Sequence, residues 1–506
     1  MAGKKLFGII YMSTTRLELM IVNLKTHELI ERVTSANFVQ TADKSEIYQN
    51  EITKIVFSLT GFLQLMADYG VKSYKFWASQ QLIDDVSARY LSEQILLRSG
   101  VKVNWLNTSQ INYFRALSLM GHTKAFHSFA GRTVYLLYMG SAAVTLFKFS
   151  QEEFVQAWNI GLGYLELDQL SQALRNSAND PNEVLDDYIS SKLDYLKSEL
   201  AGGEPDTCLI LQDFAALNNI YLPLNKRLTE LPYAAFSQEL KQAGEASSQY
   251  ICDHFHVEDS LSGRVLPGFL IARRLLSYTQ AQQLYLTRLN IMDGLAIQTG
   301  ADFGLTHKDY GIITQTSAEN IAQLYIKEEA HRSLVRKLAL HIFDQLKKLH
   351  RLGSRERLLL SIAATISDIG NAISQHNHYH HSAYIMEANP LIGLSDQENT
   401  IVSEIARYHS TESPGADQLH FHSLPPELQM TIAKLVAILR LADALDDSHQ
   451  QKISKLTVSL KNEQLILTAF SPQDLSLEKW AFNRKAQLFN ELYGIKPSLK
   501  QRRTDA

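Results

Sequence analysis

The chain has 506 residues, of which 45% are hydrophobic and 20% charged, and its net charge is −4. A length of this order suggests about three or four domains, and the weakly acidic balance argues against a general nucleic-acid or membrane-surface binder. The two cysteines, Cys208 and Cys252, have neither disulfide-framework nor zinc-motif spacing and fit a reducing compartment.

Residues 6–22 read as strand, turn and strand, with the turn at Ser13-Thr14-Thr15 and Leu17, Leu19 and Ile21 alternating with Glu18 and Met20. Lys4-Lys5 precede an apolar run, but Arg16 and Glu18 follow without a cleavage pattern. No apolar run approaches the roughly 20 residues of a membrane span. The expectation is a cytoplasmic protein that starts with its first strand. Apolar periodicity predicts a helix over 52–69, strands over 73–78 and 101–106, and a helix around 92–99.

The stretch 134–147 then repeats the opening, with two apolar strands around Gly140-Ser141-Ala142-Ala143. Ile9-Ile10-Tyr11-Met12-Ser13 matches Leu136-Leu137-Tyr138-Met139-Gly140 at an offset of 127 residues, which a duplicated lobe explains. Such small-residue turns can bring backbone N–H groups to an anion. A strand around 154–160, a helix from Leu165, a helix opened by Asp180-Pro181-Asn182 and a strand over 208–212 continue the α/β alternation. Gly202-Gly203-Glu204-Pro205 punctuates before that last strand. From about Asp302 helices follow one another, over 319–350, 354–373, 395–408 and 426–446, with Ser354 as an N-cap. Strands over 455–460 and 464–470, split by a turn at 461–463, and a helix over 477–493 close the chain.

This order resembles the exopolyphosphatase/guanosine pentaphosphate phosphatase (Ppx/GppA) family over nearly the full length. The best-preserved parts are Arg264-Val-Leu-Pro-Gly268, Leu439-Arg-Leu-Ala-Asp-Ala-Leu445 and the stretch from Leu477-Glu-Lys-Trp to Leu488-Phe. The resemblance implies α/β followed by all-α. Two actin-like (ribonuclease H-like) lobes would span 1–122 and 123–300. An HD-type helical domain would follow over 301–453, then a small α+β C-terminal region over 454–506. It also implies inorganic polyphosphate or guanosine penta/tetraphosphate as ligand, Mg²⁺ as cofactor and a homodimer, with no nucleic-acid partner.

The family's first turn, D-L-G-S-N-S, is here Tyr11-Met12-Ser13-Thr14-Thr15-Arg16, and its second, D-I-G-G-G-S-x-E, is Tyr138-Met139-Gly140-Ser141-Ala142-Ala143-Val144-Thr145. The stretch that supplies the family's catalytic base aligns with Thr108-Ser109-Gln110-Ile111-Asn112. A family arginine near the phosphate falls on Ile83, and the later G-G-T turn falls near Gln212-Asp213-Phe214. Neutral Tyr11 and Tyr138 are poor replacements for Mg²⁺-binding carboxylates, and Gln110 can orient a water but not take its proton. Hydroxyls at Ser13, Thr14, Thr15 and Ser141, with Arg16 and Gly140, remain candidates for holding phosphate. The leading expectation is a catalytically impaired regulatory homologue. The alternatives are an active exopolyphosphatase with relocated residues such as Asp213, or an HD-type metal phosphohydrolase.

HD-type enzymes place His, His-Asp and Asp around a metal. Here His331 matches the first His, Ser367-Asp368 stands for His-Asp, and Asp443 matches the last Asp. Histidines at 376, 378, 380, 381 and 409 lie between. His331, Asp368, His378, His381, His409 and Asp443 are therefore candidate ligands for a transition metal, with His380 or His381 substituting for the lost one. By the same resemblance, Lys347, Lys348, Arg351, Arg355 and Arg357 are candidates for guiding polyphosphate.

Overall fold

The computed structural model describes residues 5–14, 16–35, 49–81, 83–122, 126–174, 180–200, 206–306, 308–326, 329–461 and 464–503. Thr15, Gly202-Gly203-Glu204-Pro205 and the turn at 462–463 lie outside them. The chain divides into two compact units, 1–310 and 311–506.

The first unit contains two sheets built on one plan. Strands β1 (Leu6–Met12), β2 (Leu17–Asn23), β3 (Glu28–Thr34), β4 (Tyr74–Ser79) and β5 (Val103–Leu106) take the order β3-β2-β1-β4-β5. The second sheet contains β6 (Thr133–Met139), β7 (Val144–Ser150), β8 (Glu153–Ile160), β9 (Thr207–Gln212), β10 (Leu228–Leu231) and β11 (Gln283–Thr287), ordered β10-β11-β9-β6-β7-β8. In both, an antiparallel meander meets parallel strands at its first member, β1 against β4 and β6 against β9. The repeat read from the sequence is therefore a structural repeat.

β1 and β6 read as near-continuous apolar runs because central strands are covered on both faces. β3, β10 and β11 were not anticipated. β3 (Glu-Leu-Ile-Glu-Arg-Val-Thr) is half-exposed and carries three charges, so its alternation is weak. β10 is four residues long, and β11 is interrupted by polar Gln283 and Tyr285. The helix Ile291–Asp302 turns back from the second lobe to pack on the helix Thr108–Met120 and on β1. Gly294 permits that approach, since a Cβ there would lie 1.8 Å from the Phe114 carbonyl oxygen.

The second unit is helical around one core drawn from all its long helices. Where one helix was expected over 319–350, the structure has Ile312–Tyr325, Glu329–Gln345 and the short Lys347–His350. Ile326 takes an extended backbone that ends the first, and left-handed Arg351 closes the last. The helix expected over 354–373 ends at Ile366 and passes into a 3₁₀ turn, Ile369–Ala372. Its N-cap is Gly353 rather than Ser354: the Gly353 N–H donates to Glu356 at 2.7 Å, the reciprocal half of a capping box.

At the end of the chain, β12 (Lys455–Lys461) pairs antiparallel with β13 (Gln464–Phe470). The expected closing helix is two, Ser476–Lys485 and Gln487–Tyr493, and a strand follows them. This strand, β14 (Lys496–Arg502), lies parallel beside β13. Its Lys-Pro-Ser-Leu-Lys-Gln-Arg has no apolar alternation, and Pro497 is tolerated because the strand is at the sheet edge. Among the described residues no helix is long and apolar enough to cross a membrane.

Candidate functional site

In the first unit the two repeated turns face one another across a cavity of about 190 Å³. Thr14 and Ser141, equivalent under the 127-residue repeat, join their hydroxyls at 3.1 Å. The Ser13 hydroxyl serves its own turn, accepting from the Arg16 N–H at 2.9 Å. The Gly140 N–H is likewise used within its turn, donating to the Ala143 carbonyl at 2.9 Å. That turn rests on the start of the helix Tyr164–Leu174, where Tyr164 N–H donates to the Gly140 carbonyl at 3.0 Å. Ser13, Thr14, Arg16, Gly140 and Ser141 all line the cavity.

Tyr11 and Tyr138, at the strand ends, line it as well. Burial raises both phenols above their usual range, against the pull of Arg115, so both stay neutral. Gln110 is not among the lining residues. It is the N3 residue of a capping box, its side-chain oxygen accepting from the Asn107 N–H at 3.2 Å. It therefore secures a helix start instead of facing the cleft.

Arg115 is the residue that sequence reasoning missed. It lies on the inner face of Thr108–Met120, 6% exposed, with its guanidinium carbon 3.1 Å from the centroid of the Tyr138 ring. Its Nε and Nη1 are buried without a hydrogen-bond partner. The one available signal was a charge inside the apolar run Tyr113-Phe114-Arg115-Ala116-Leu117. Arg16, Arg32 and Arg264 also line the cavity, against two carboxylates, Glu18 and Asp213. Glu18 is paired with Arg32 at 2.9 Å. Removal from bulk water pushes the Asp213 carboxyl up, opposed by Arg32 and reinforced by Glu18. Four guanidiniums against two carboxylates, one of them already paired with Arg32, suit an anion better than Mg²⁺.

In the second unit, five of the candidate ligands converge. His331 comes from the helix Glu329–Gln345, and Asp368 from the turn after Ser354–Ile366. His378 starts the helix His378–Ala388, His409 caps Asp396–Tyr408, and Asp443 lies near the end of Pro426–Ala444. His331 Nε2 lies 3.6 Å from Asp368 Oδ2 and 3.5 Å from Asp443 Oδ1. His378 Nε2 and His409 Nε2 each lie 3.4 Å from Asp368 Oδ1, and 3.3 Å from one another. His381 does not join these groups, so His378 takes the place expected of it. His380 bonds Glu412 at 3.1 Å instead.

Burial opposes charge on His331, but Asp443, Asp446 and Asp368 outweigh it and push the imidazole up to about 10. Burial likewise opposes ionisation of Asp368, yet His378 and His409 hold it well below the carboxylate range. Lys485, from the helix Ser476–Lys485, bonds Asp443. Arg355 and Arg357, candidates for guiding polyphosphate, pair with Glu398 and Asp344.

Residues 313–490 match the family model for Ppx/GppA phosphatase, domain III. Among solved structures, an exopolyphosphatase from Cytophaga hutchinsonii is similar at a TM-score of 0.50 and 12% identity. The match covers 59% of this chain and 98% of that one. A Ppx/GppA family member from Aquifex aeolicus is similar at 0.48 and 15% identity, covering 59% and 98%. No curated protein sequence matches. Residues 313–490 are thus similar to domain III of the Ppx/GppA phosphatases, and the chain shares its fold with the Cytophaga hutchinsonii exopolyphosphatase structure.

Proposed function

We propose that the first unit binds the end of an inorganic polyphosphate chain between its two turns and turns it over poorly or not at all. The observation that carries this reading is Arg115, a buried guanidinium with two unpartnered N–H groups in the wall of an arginine-rich cavity. A buried cation without a partner is costly, and a phosphate oxygen is the natural acceptor for its fork of donors. The volume favours a phosphate chain end over guanosine penta/tetraphosphate. About 190 Å³ is below the roughly 300 Å³ at which pockets begin to enclose drug-sized ligands.

Poor turnover follows from the strand ends. Phosphoryl transfer depends on charge neutralisation and a positioned water, and neutral Tyr11 and Tyr138 offer neither a metal ligand nor a base. The Ppx/GppA dimer is carried over to this chain as part of the same proposal, and light scattering reads it directly.

Titration calorimetry with inorganic polyphosphate should give binding that Arg115→Met weakens at least tenfold, on the order of 1.4 kcal/mol. Phosphate release with Mg²⁺ should stay at background. Binding unaffected by Arg115→Met would overturn the site, and Mg²⁺-dependent release at an enzymatic rate would overturn the impairment.

A further inference from the structure

The cleft of the first unit holds one charged group that anion binding alone does not explain. Asp213 lines the cavity, yet its carboxylate makes no hydrogen bond or ion pair with any described residue. The other carboxylate there, Glu18, is neutralised by Arg32 at 2.9 Å. Asp213 follows the last residue of β9 and is held on both sides. The Gln212 side chain donates to the Ser118 hydroxyl at 3.0 Å, and the Asp213 N–H donates to the Thr287 carbonyl of β11 at 3.1 Å. The Phe214 ring packs edge-on with Phe269, their centroids 5.3 Å apart. At Asp213 φ is 58°, in the left-handed region where glycine fits most freely and aspartate is tolerated. The chain thus fixes a carboxylate in the wall of a cavity that otherwise offers guanidiniums and hydroxyls.

A fully ionised anion and a carboxylate in contact repel one another, so an oxyanion lies against Asp213 only with a proton between the two oxygens. Such an O–H···O⁻ bond is short and strong. The surrounding groups leave few places for that proton. Arg16, Arg32, Arg115 and Arg264 keep their charge throughout. Burial raises the Tyr11, Tyr138 and Tyr164 phenols, which keep their own protons. Glu18 is occupied by Arg32, and among the described residues no histidine lines the cavity. Removal from bulk water and the Glu18 charge favour a proton at Asp213, while Arg32, Arg115 and Arg16 oppose it. The proton therefore arrives with the ligand or is taken up with it at Asp213.

Oxyanions differ in whether they have such a proton to share. The end group of a phosphate chain carries a second proton, lost at roughly pH 6 in a phosphate ester. Interior phosphates and sulfate carry only strongly acidic protons and reach the cavity without one. We propose that Asp213 makes the cleft selective for the end of a phosphate chain, by sharing one proton with the terminal group and turning away interior phosphates and sulfate. This inference rests on the reading of the cleft as a polyphosphate site. It also agrees with poor turnover, since a carboxylate that shares a proton with the bound phosphate is not free to take one from water.

Linear tripolyphosphate and cyclic trimetaphosphate contain the same phosphates, but only the linear one has ends. Titration calorimetry of the full chain in two buffers of different ionisation enthalpy counts the protons taken up. At about pH 9, well above the value for a phosphate end, tripolyphosphate should bind with uptake of about one proton. Its affinity should there fall about tenfold per pH unit. Asp213→Asn should bind tripolyphosphate without proton uptake, and should bind trimetaphosphate and sulfate about tenfold more tightly than the wild-type chain does. Asp213→Gly suits the left-handed backbone, should behave in the same way, and replaces the Asn variant if that one fails to fold. Tripolyphosphate binding without proton uptake in the wild type, or uptake that persists in the variants, overturns the role of Asp213 and leaves the polyphosphate site standing. Trimetaphosphate bound by the wild type as tightly as tripolyphosphate overturns the selection of ends. No binding of tripolyphosphate overturns the site itself and this inference with it.

Discussion

Two buried charges in the first unit behave oppositely because one has partners and the other lacks them. Arg115 lies against the Tyr138 ring with its Nε and Nη1 unbonded, whereas Asp293 is held by Arg227 at 2.5 Å and His122 at 3.4 Å. Burial alone would raise the Asp293 carboxyl, but the His122 bond and the Arg227 charge bring it down to about 2. An Asp whose folded value lies below its unfolded one stabilises the fold above about pH 4, and that contribution is lost as pH falls through about 2. Asp293→Asn should therefore cost about 2 kcal/mol at pH 7, and the gap to wild type should close near pH 2. Urea titration at both pH values checks this, and an equal gap at both would refute it. The sequence made Tyr11 and Tyr138 legible because a motif position drew attention to them. Arg115 was not legible, since a lone arginine on a helix reads as a solvated charge until the fold shows which face it occupies.

Elements were legible wherever one periodicity ruled. β1, β2, β6 and β7 were clear from alternation and apolar runs, and so was the 127-residue repeat that relates them. The strands that escaped, β3, β10, β11 and β14, are short, polar or at edges, where side chains need not alternate. The break at Ile326 escaped because apolar spacing continues on both sides of it. In the second unit the sequence supplied His331, Asp368, His409 and Asp443. The choice between His378 and His381 depends on which face of a new helix turns inward, and His378 is that helix's first residue. The contact between Ile291–Asp302 and Thr108–Met120 ties the end of the first unit to its first lobe, and it leaves no room for a side chain at Gly294. Gly294→Ala should cost about 1–3 kcal/mol, since the obstacle is backbone and cannot swing aside. Thermal unfolding followed by circular dichroism measures it. A change within error would mean that the two helices slide apart without penalty.

At the scale of the molecule, the two units concentrate different chemistry, arginines around a small cleft in one and imidazoles around a larger cavity in the other. Hydrogen exchange on the full chain should separate them. Polyphosphate should protect amides at 12–16, 139–144 and in Thr108–Met120, while Mn²⁺ should protect the helix ends near His331, His378 and His409. Protection of both sets by either additive would contradict two separate sites. The bond between Thr14 and Ser141 has one further consequence. Either hydroxyl can donate, so the contact works as a clasp without polarity, made from the same position of each copy. A guest that opens it gives up one bond and gains two free hydroxyls, one from each lobe. The arriving chain end is therefore gripped from both sides at the moment the lobes release each other.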